Sequence, residues 1–277
     1  MTADPWASGF AKFLDAAAPY LDQLVIAGGW ASRLHRLSPH ADPPTFEALG
    51  TKDVDAAAPA SLPLADQPLD VRLKHRGFEE KLSSEFRPPV THYVLGEPEG
   101  FEVEFLTDQP GAYEHRDGTP DRTAEIAGVT AQKLHYVGLL LVEPWPVSIR
   151  QRDGFPMEVR SRVVRIANPF SYIVQKLLIR PDREQDKREK DVLYIHDTLQ
   201  LFADAGAPLE LAASAVRAQM QRRWVERCRT AAEKLSKPAH PDVVAATRIA
   251  LETGRATDEE AVAAVLRLGL STILAAP

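Results

Sequence analysis

The chain has 277 residues, of which 44% are hydrophobic and 26% charged, a composition typical of a globular protein with one large domain or two ordinary ones. Its net charge of −6 argues against a general polyanion binder, and its single cysteine, Cys228, excludes an intramolecular disulfide and a cysteine-based metal site. No apolar run reaches membrane-spanning length, and residues 1–10 lack the pattern of a signal peptide, so we expect a cytoplasmic protein with no membrane partner.

Helix and strand signals alternate in the first part of the chain. Residues 10–20 have the apolar spacing of an amphipathic helix, and residues 23–27 predict an apolar strand that ends at two glycines. Residues 30–37 predict a helix packed on that strand. Residues 51–57 predict the second strand. After a proline-rich loop, residues 69–81 are expected to be helical in part.

A β-hairpin is predicted next, with strands at residues 91–95 and 101–107 and a turn at residues 96–100 that contains glycine and proline. Side chains alternate along a strand, so Glu102 and Glu104 share one face while the aromatic and aliphatic residues beside them point to the other. A polar, turn-rich loop follows. Two further apolar segments are expected to be strands, at residues 134–142 and 158–166.

The signals change from strand to helix after residue 168. The predicted helices span residues 169–180, 184–203, 209–235, 241–252 and 258–275. Strands are therefore concentrated before residue 167 and helices after it. This segregation predicts an α+β domain over residues 1–167 and a helical domain over residues 168–277.

The motif with the clearest chemistry is Asp53-Val54-Asp55 on the second strand. In an extended chain Asp53 and Asp55 project to one face, while Val54 points into the core. Two adjacent carboxylates repel each other, so a bound cation is the natural reason to place them together. The Gly28-Gly29 turn that opens the preceding helix offers free backbone N–H groups, which suit a phosphate. The simplest joint interpretation is Mg²⁺ with a nucleotide that carries a diphosphate.

This arrangement resembles the nucleotidyltransferase superfamily, whose pattern is an apolar strand, a Gly-Gly or Gly-Ser turn, a short helix, an Asp-x-Asp strand and a later third carboxylate. The resemblance implies that superfamily's mixed sheet with flanking helices, followed here by a helical C-terminal domain. It also implies that Asp53, Asp55 and a third acid bind Mg²⁺ or Mn²⁺. Glu104 is the predicted third ligand and Glu102 the reserve candidate. Residues 38–50 lengthen the usual spacing and are expected to be an inserted loop.

The second half of the chain resembles one subgroup, the AbiEii-type toxin nucleotidyltransferases of toxin–antitoxin and phage-resistance systems. The matching residues are Lys176, Arg180, Lys190 and Asp191. Tyr194 stands where that subgroup commonly has a second acid. The resemblance implies that Lys176 holds the triphosphate and that Asp191 orients Lys176 or an acceptor hydroxyl. A salt bridge from Asp191 to Lys187 or Lys190 on its own helix is the alternative.

Function follows from these two resemblances. The predicted catalytic residues are Asp53, Asp55, Lys176 and Asp191. The predicted nucleotide contacts are Gly28, Gly29, Lys52 and Arg180. The expected reaction transfers an NMP from an NTP to a hydroxyl acceptor, which the resemblance implies to be tRNA or a protein, and a cognate antitoxin is an expected partner. The alternatives are a small-molecule nucleotidyltransferase of the antibiotic-modifying kind and a non-catalytic, nucleotide-binding or regulatory member of the fold.

Two other sets of residues carry weaker signals. Residues 219–229 form a basic helical segment around Trp224 that suits contact with an RNA backbone, although a solvated or partner-facing helix is the favoured interpretation. The histidines show no zinc-site spacing. His35, His75 and His92 are therefore expected to be structural or surface residues.

Overall fold

The computed structural model describes residues 6–44, 46–82, 89–96 and 100–275. The chain divides into two compact units. The first unit comprises Met1–Leu37 and Gly50–Ala167, and the second comprises Ser38–Leu49 and Asn168–Pro277. Residues 97–99 of the expected hairpin turn lie outside the described residues.

Nine strands form one mixed sheet in the described part of the first unit. Their bounds are β1 Val25–Ile26, β2 Asp53–Ala57, β3 Glu79–Leu82, β4 Thr91–Leu95, β5 Phe101–Asp108, β6 Thr123–Ile126, β7 Val129–Leu134, β8 Trp145–Arg150 and β9 Ser161–Ile166. The strand order is β3-β4-β5-β2-β1-β9-β8, and β7 pairs with both β5 and β6. The β2–β5, β1–β9 and β5–β7 pairs are parallel and the others antiparallel.

Helices of the first unit cover this sheet. They are α1 Ala7–Ala16, α2 Gly28–His35, α3 Leu69–His75 and α4 Val137–Leu140. The core is rich in aromatic side chains, with Phe10 stacked on Trp30 at 4.0 Å between ring centroids and Phe101 set edge-on to Trp30 at 5.9 Å. Such ring pairs add to the free energy gained by burying the side chains. This packing fixes α1 and α2 on one face of β5.

The second unit is helical. Its helices are α5 Pro169–Ile179, α6 Gln185–Leu201, α7 Ala207–Gln219, α8 Arg222–Leu235, α9 Pro241–Glu252 and α10 Glu259–Leu274. Three of their N-termini have side-chain caps on the backbone, from Asn168, His240 and Asp258. The α+β class, with a mixed sheet followed by several helices, is therefore confirmed. Among the helices described, none combines the length and the apolar character that crossing a membrane needs.

Residues 38–49, expected to be an inserted loop of the first domain, are grouped with the helices of the second unit. The backbone N–H of Asp42 donates to the carbonyl of Leu201 at 2.8 Å. Arg255 lies over the ring of Phe46 at 4.1 Å and donates to Asp197 at 2.8 Å. These contacts are distant in sequence, so no local pattern indicates them.

Two of the predicted elements differ from the structure. Residues 134–142 were expected to be a strand, but β7 ends at Leu134 and Tyr136 takes the left-handed conformation, with φ of 68°, before α4. A short apolar run does not distinguish a strand from a buried helix. The single helix expected over residues 209–235 is two helices, because Met220 and Gln221 are extended between α7 and α8.

Candidate active site

Four carboxylates lie on one face of the sheet. In the parallel β2–β5 pair, Asp53 is opposite Glu102 and Asp55 is opposite Glu104. Residues paired across neighbouring strands project to the same side, so the predicted alternation on each strand combines into one acidic face. Val54, between the two aspartates, is fully buried on the other side. Burial of the apolar side of these strands therefore fixes which side chains form the acidic face.

Each glutamate has a basic partner, and these partners differ. Glu102 lies 3.6 Å from the Nζ of Lys52, and Glu104 lies 3.0 Å from the Nδ1 of His92. The two glutamate side chains are similarly exposed, at 30% and 26%. Depth in the sheet therefore does not single out Glu104, which was expected to lie deeper than Glu102. Their partners are what distinguish them.

His92 is a site residue that the sequence interpretation set aside as structural or surface. It lies on β4 directly opposite Glu104 in the antiparallel β4–β5 pair. The hydrogen bond to Glu104 is the main cause that raises the pKa of His92, and the charges of Glu102 and Asp53 raise it further, whereas burial opposes the shift. The register of the predicted hairpin, with residue 95 opposite residue 101, was the signal that could have indicated this contact.

One ligand atom each from His92, Glu102 and Glu104 lies within 4.8 Å of the other two, as the donors to a single metal ion would. Two carboxylates with one imidazole suit a divalent cation such as Mn²⁺, and the carboxylates suit Mg²⁺. This group lies beside the predicted pair Asp53 and Asp55. Of the three predicted metal ligands this group contains Glu104 alone, together with the reserve candidate Glu102 and the imidazole of His92.

Gly28 lies against Asp55 at one side of the acidic face. It is the first residue of α2 and has φ of +56°, a conformation that residues with a side chain rarely adopt. A Cβ built on Gly28 would lie 1.8 Å from Oδ2 of Asp55, so only glycine permits this approach. The N–H of Ala27 donates to the carbonyl of Asp55 at 2.8 Å and holds the two segments together. Gly29 is the second residue of α2.

The other predicted catalytic residues form a buried ion pair within the second unit. The Nζ of Lys176 donates to Asp191, and both side chains are only 3% exposed. The rings of Tyr172 and Tyr194 lie 4.8 and 4.7 Å from this Nζ. Asp191 also accepts from Nε of Arg183 at 3.3 Å. The contact of Asp191 is thus with Lys176, one of the two interactions expected from the sequence.

Arg180, Arg188 and Lys187 form ion pairs that do not involve Asp191. Arg180 donates to the carboxylate of Asp242, and Nε of Arg188 lies 3.6 Å from the same carboxylate. Lys187 forms a surface ion pair with Glu184 at 2.9 Å, and Lys190 is exposed. The predicted site residues therefore fall into two groups. Gly28, Gly29, Lys52, Asp53, Asp55 and Glu104 belong to the first unit, and Lys176, Arg180 and Asp191 belong to the second.

A family model described as nucleotidyltransferase matches residues 7–220, which include the whole sheet and the helices α5–α7. The chain belongs to this nucleotidyltransferase family. The match confirms the superfamily and the enzyme class expected from the sequence. A search of curated proteins returned no match. Helices α8, α9 and α10 lie beyond the matched segment.

Nucleotidyltransferases generally use an NTP and a divalent metal, and the acidic face fits both requirements. Its oxygen donors are those that Mg²⁺ and Mn²⁺ prefer. A Cβ on Gly28 would fill the space against Asp55, so glycine at this position lets the start of α2 lie close to that carboxylate. The N-terminus of a helix suits a phosphate oxygen, and more so where carboxylates can hold a cation beside it. The first unit of this nucleotidyltransferase thus has oxygen donors that suit a metal ion and a helix N-terminus that suits a phosphate.

Proposed function

We propose that this nucleotidyltransferase transfers an NMP from an NTP to a hydroxyl acceptor and releases pyrophosphate. The observation that carries the proposal is the register that sets Asp53 and Asp55 beside Glu102 and Glu104, with Gly28 against Asp55. Asp53 and Asp55 would hold the divalent cation, and Glu104 would be the third carboxylate. Phosphoryl transfer needs mainly positioning and charge neutralisation, which this face is built to supply.

When bound, the cation would supply charge neutralisation for the attacking and leaving oxygens of the displacement. The chain's own residues do the rest. His92 holds the Glu104 carboxylate at 3.0 Å, and Lys52 lies 3.6 Å from Glu102, so each glutamate is oriented by a basic neighbour. Gly28 and Gly29 are the first residues of α2, where backbone N–H groups would donate hydrogen bonds to the phosphates of the nucleotide.

The proposal also includes Lys176, Arg180 and Asp191. Their ion pairs limit what each side chain can contact. Lys176 is buried against Asp191, and Arg180 is bonded to Asp242. Asp191 therefore acts on Lys176 directly, as a positioning residue does. Contact of Lys176 with the triphosphate predicts that Lys176→Ala weakens NTP binding in a titration and that Lys176→Arg restores it only in part, because a planar guanidinium does not replace a compact ammonium.

We also propose a class of acceptor and a biological role. The resemblance of Lys176, Arg180, Lys190 and Asp191 to the AbiEii-type subgroup favours tRNA or a protein as acceptor, a cytoplasmic toxin role and a cognate antitoxin. A small cationic antibiotic is the alternative acceptor. A non-catalytic role is disfavoured by the complete set of carboxylates on the acidic face.

The test is a transfer assay with the full chain, Mg²⁺ and each α-labelled NTP in turn. Total cellular RNA, total cellular protein and an aminoglycoside serve as three separate acceptors. We expect label on one of the macromolecular acceptors and none with Asp53→Ala. Label on the aminoglycoside alone would replace the toxin role with an antibiotic-modifying one. Absence of label on all three acceptors, with every NTP, would contradict the proposed function.

A further inference from the structure

The second unit contains a cavity of about 760 Å³ with strongly basic walls. It is lined by the end of α5, the start of α6, one side of α8 and the start of α9. The cationic side chains that line it are Arg180, Arg188, Arg223, Arg227 and Lys234. Among the described lining residues, two carboxylates oppose them, Glu226 and Asp242. The cavity therefore has an excess of positive charge in a chain whose net charge is −6.

Both carboxylates of the cavity are already paired. Asp242 accepts a hydrogen bond from Arg180 and lies 3.6 Å from Arg188. Glu226 lies 3.1 Å from Nε of Arg222, an exposed residue that does not line the cavity. The two acids therefore do not neutralise Arg223 and Lys234, the exposed cations at the ends of α8. Bringing like charges together around a cavity costs free energy that a bound anion would recover.

Those α8 cations form a stripe. Arg223 and Lys234 are exposed, and they form no ion pair with any residue in the part of the chain that the structure describes. They lie at the two ends of α8, about 16 Å apart along the helix axis at about 1.5 Å per residue, with Arg227 between them. A stripe of this length spans more than one phosphate group, so the ligand it suits carries several negative charges.

The inner wall has an unsatisfied donor. The side chain of Arg180 is 12% exposed, and its Nη1 is buried with no hydrogen-bond partner among the described residues. Burial lowers the pKa of Arg180, while Asp242 and Asp191 act to raise it. A buried N–H without an acceptor costs stability, and Arg180 adds one more positive charge to the wall of the cavity, which a bound anion would offset.

We propose that this basic cavity binds the phosphate groups of a ligand that carries several phosphates. The source is either the backbone of a nucleic acid or the free polyphosphate chain of a nucleotide. Arginine guanidinium groups match phosphate oxygens in paired hydrogen bonds, and Lys234 adds a point charge at the end of the stripe. The site lies within the second unit and is distinct from the acidic face. Arg180 lines this cavity and is also a predicted nucleotide contact of the proposed transfer, but binding to the cavity can be measured without transfer.

The test measures binding to the full chain in EDTA, so that divalent metal contributes nothing. A short single-stranded RNA and inorganic tripolyphosphate are each titrated by calorimetry at low salt. The test variant is Arg223→Gln with Lys234→Gln. The control is Arg229→Gln with Lys237→Gln, which removes the same two charge types from exposed residues that do not line the cavity. We expect the test variant to bind about tenfold more weakly with a smaller salt dependence, and the control to stay within about twofold of wild type.

The two probes distinguish the sources. Binding of the RNA without binding of tripolyphosphate assigns the site to a nucleic-acid backbone, and binding of tripolyphosphate with similar or higher affinity assigns it to a free polyphosphate. Equal weakening in the test and control variants would show only general electrostatic attraction and would overturn the proposal. Failure of both probes to bind wild type would overturn it as well. Because EDTA prevents transfer, neither outcome bears on the proposed reaction.

Discussion

The acidic face of the first unit and the Lys176–Asp191 pair of the second unit were both predicted to take part in catalysis. In the structure the charged side chains of the acidic face are partly exposed, whereas those of the pair are buried. Glu102 and Glu104 remain about a quarter to a third exposed and have partners at 3.0 to 3.6 Å. Lys176 and Asp191 are almost fully buried and satisfy each other. Charge that is held near the surface is available to a ligand as it stands, whereas the Lys176 amine would have to leave Asp191 to contact a triphosphate. Burial and ion-pair partners therefore distinguish two sets of charged side chains that residue type alone did not.

The largest expected effect is on transfer. Asp53→Ala and Asp55→Ala should each reduce NMP transfer by about a thousandfold or more, because each removes a ligand of the metal that neutralises the developing charge. The fold should remain intact, since removing one of two adjacent carboxylates relieves repulsion. Initial rates with α-labelled NTP, and circular dichroism of the same samples, measure both quantities. A variant with near wild-type turnover would show that the acidic face is not the reaction site.

The next effect compares the two glutamates. Glu104→Gln should reduce transfer by about a hundredfold and Glu102→Gln by less than about tenfold, since both changes keep shape and remove only charge. Each variant is measured at saturating Mg²⁺. The similar exposure of the two side chains makes them a matched pair. The reverse ranking would move the third ligand to Glu102.

The buried pair predicts an effect on stability. Lys176→Ala should lower the free energy of unfolding by about 3 kcal/mol, because among the described residues it leaves the buried Asp191 with Arg183, at 3.3 Å, as its ion-pair partner. Lys187→Ala is the control, since it removes an exposed pair with Glu184 and should cost less than about 1 kcal/mol. Urea unfolding at neutral pH measures both. Equal, small losses would mean that the Lys176 amine is not committed to Asp191.

The smallest expected effect is a pH dependence in the core of the first unit. Burial lowers the pKa of His35 to about 4, although its Nε2–H donates to the carbonyl of Ala167 at 2.9 Å. Because the unfolded chain binds this proton more readily, the associated stability is present above the unfolded pKa and is lost as pH falls towards the folded pKa. Wild type should lose about 2 kcal/mol more than His35→Gln between about pH 7 and about pH 5.

Denaturant unfolding at the two pH values measures that difference. His75→Gln is the control, because His75 is an exposed histidine at the end of α3. It should follow the wild-type pH dependence. If His35→Gln also follows it, His35 does not account for the loss of stability in acid.

Most helices and the strands β1, β2, β4, β5 and β9 followed from local patterns, whereas β3, β6, β7 and β8 were not predicted as strands. The alternation on β2 and β5 predicted the faces of Asp53, Asp55 and Glu104, because one side of each strand is apolar. Alternation alone could not predict that His92 contacts Glu104, because that contact also needs the hairpin register, which the predicted strand ends at residues 95 and 101 indicate. Nor could it assign residues 38–49 to the helical unit, because those contacts reach Leu201 and Arg255 far along the chain.

The basic cavity was indicated only in part. Residues 219–229 were predicted to be a basic helical segment. The break in that helix at the extended residues Met220 and Gln221, after which α8 begins at Arg222, was not predicted. That break decides which arginines share a face. The other wall comes from α5, α6 and α9, and its position depends on helix packing that a sequence pattern does not encode.

The most direct test of the account is whether the acidic face binds a divalent metal. Mn²⁺ is titrated into the full chain and into Asp53→Ala and Asp55→Ala, with bound and free Mn²⁺ separated by electron paramagnetic resonance. Glu125→Ala is the control, an exposed acid on β6 of the same sheet. We predict that wild type and Glu125→Ala bind Mn²⁺ alike and that each aspartate variant binds it at least about tenfold more weakly. Unchanged Mn²⁺ affinity in both aspartate variants would contradict the assignment of this face as the metal-dependent site of transfer.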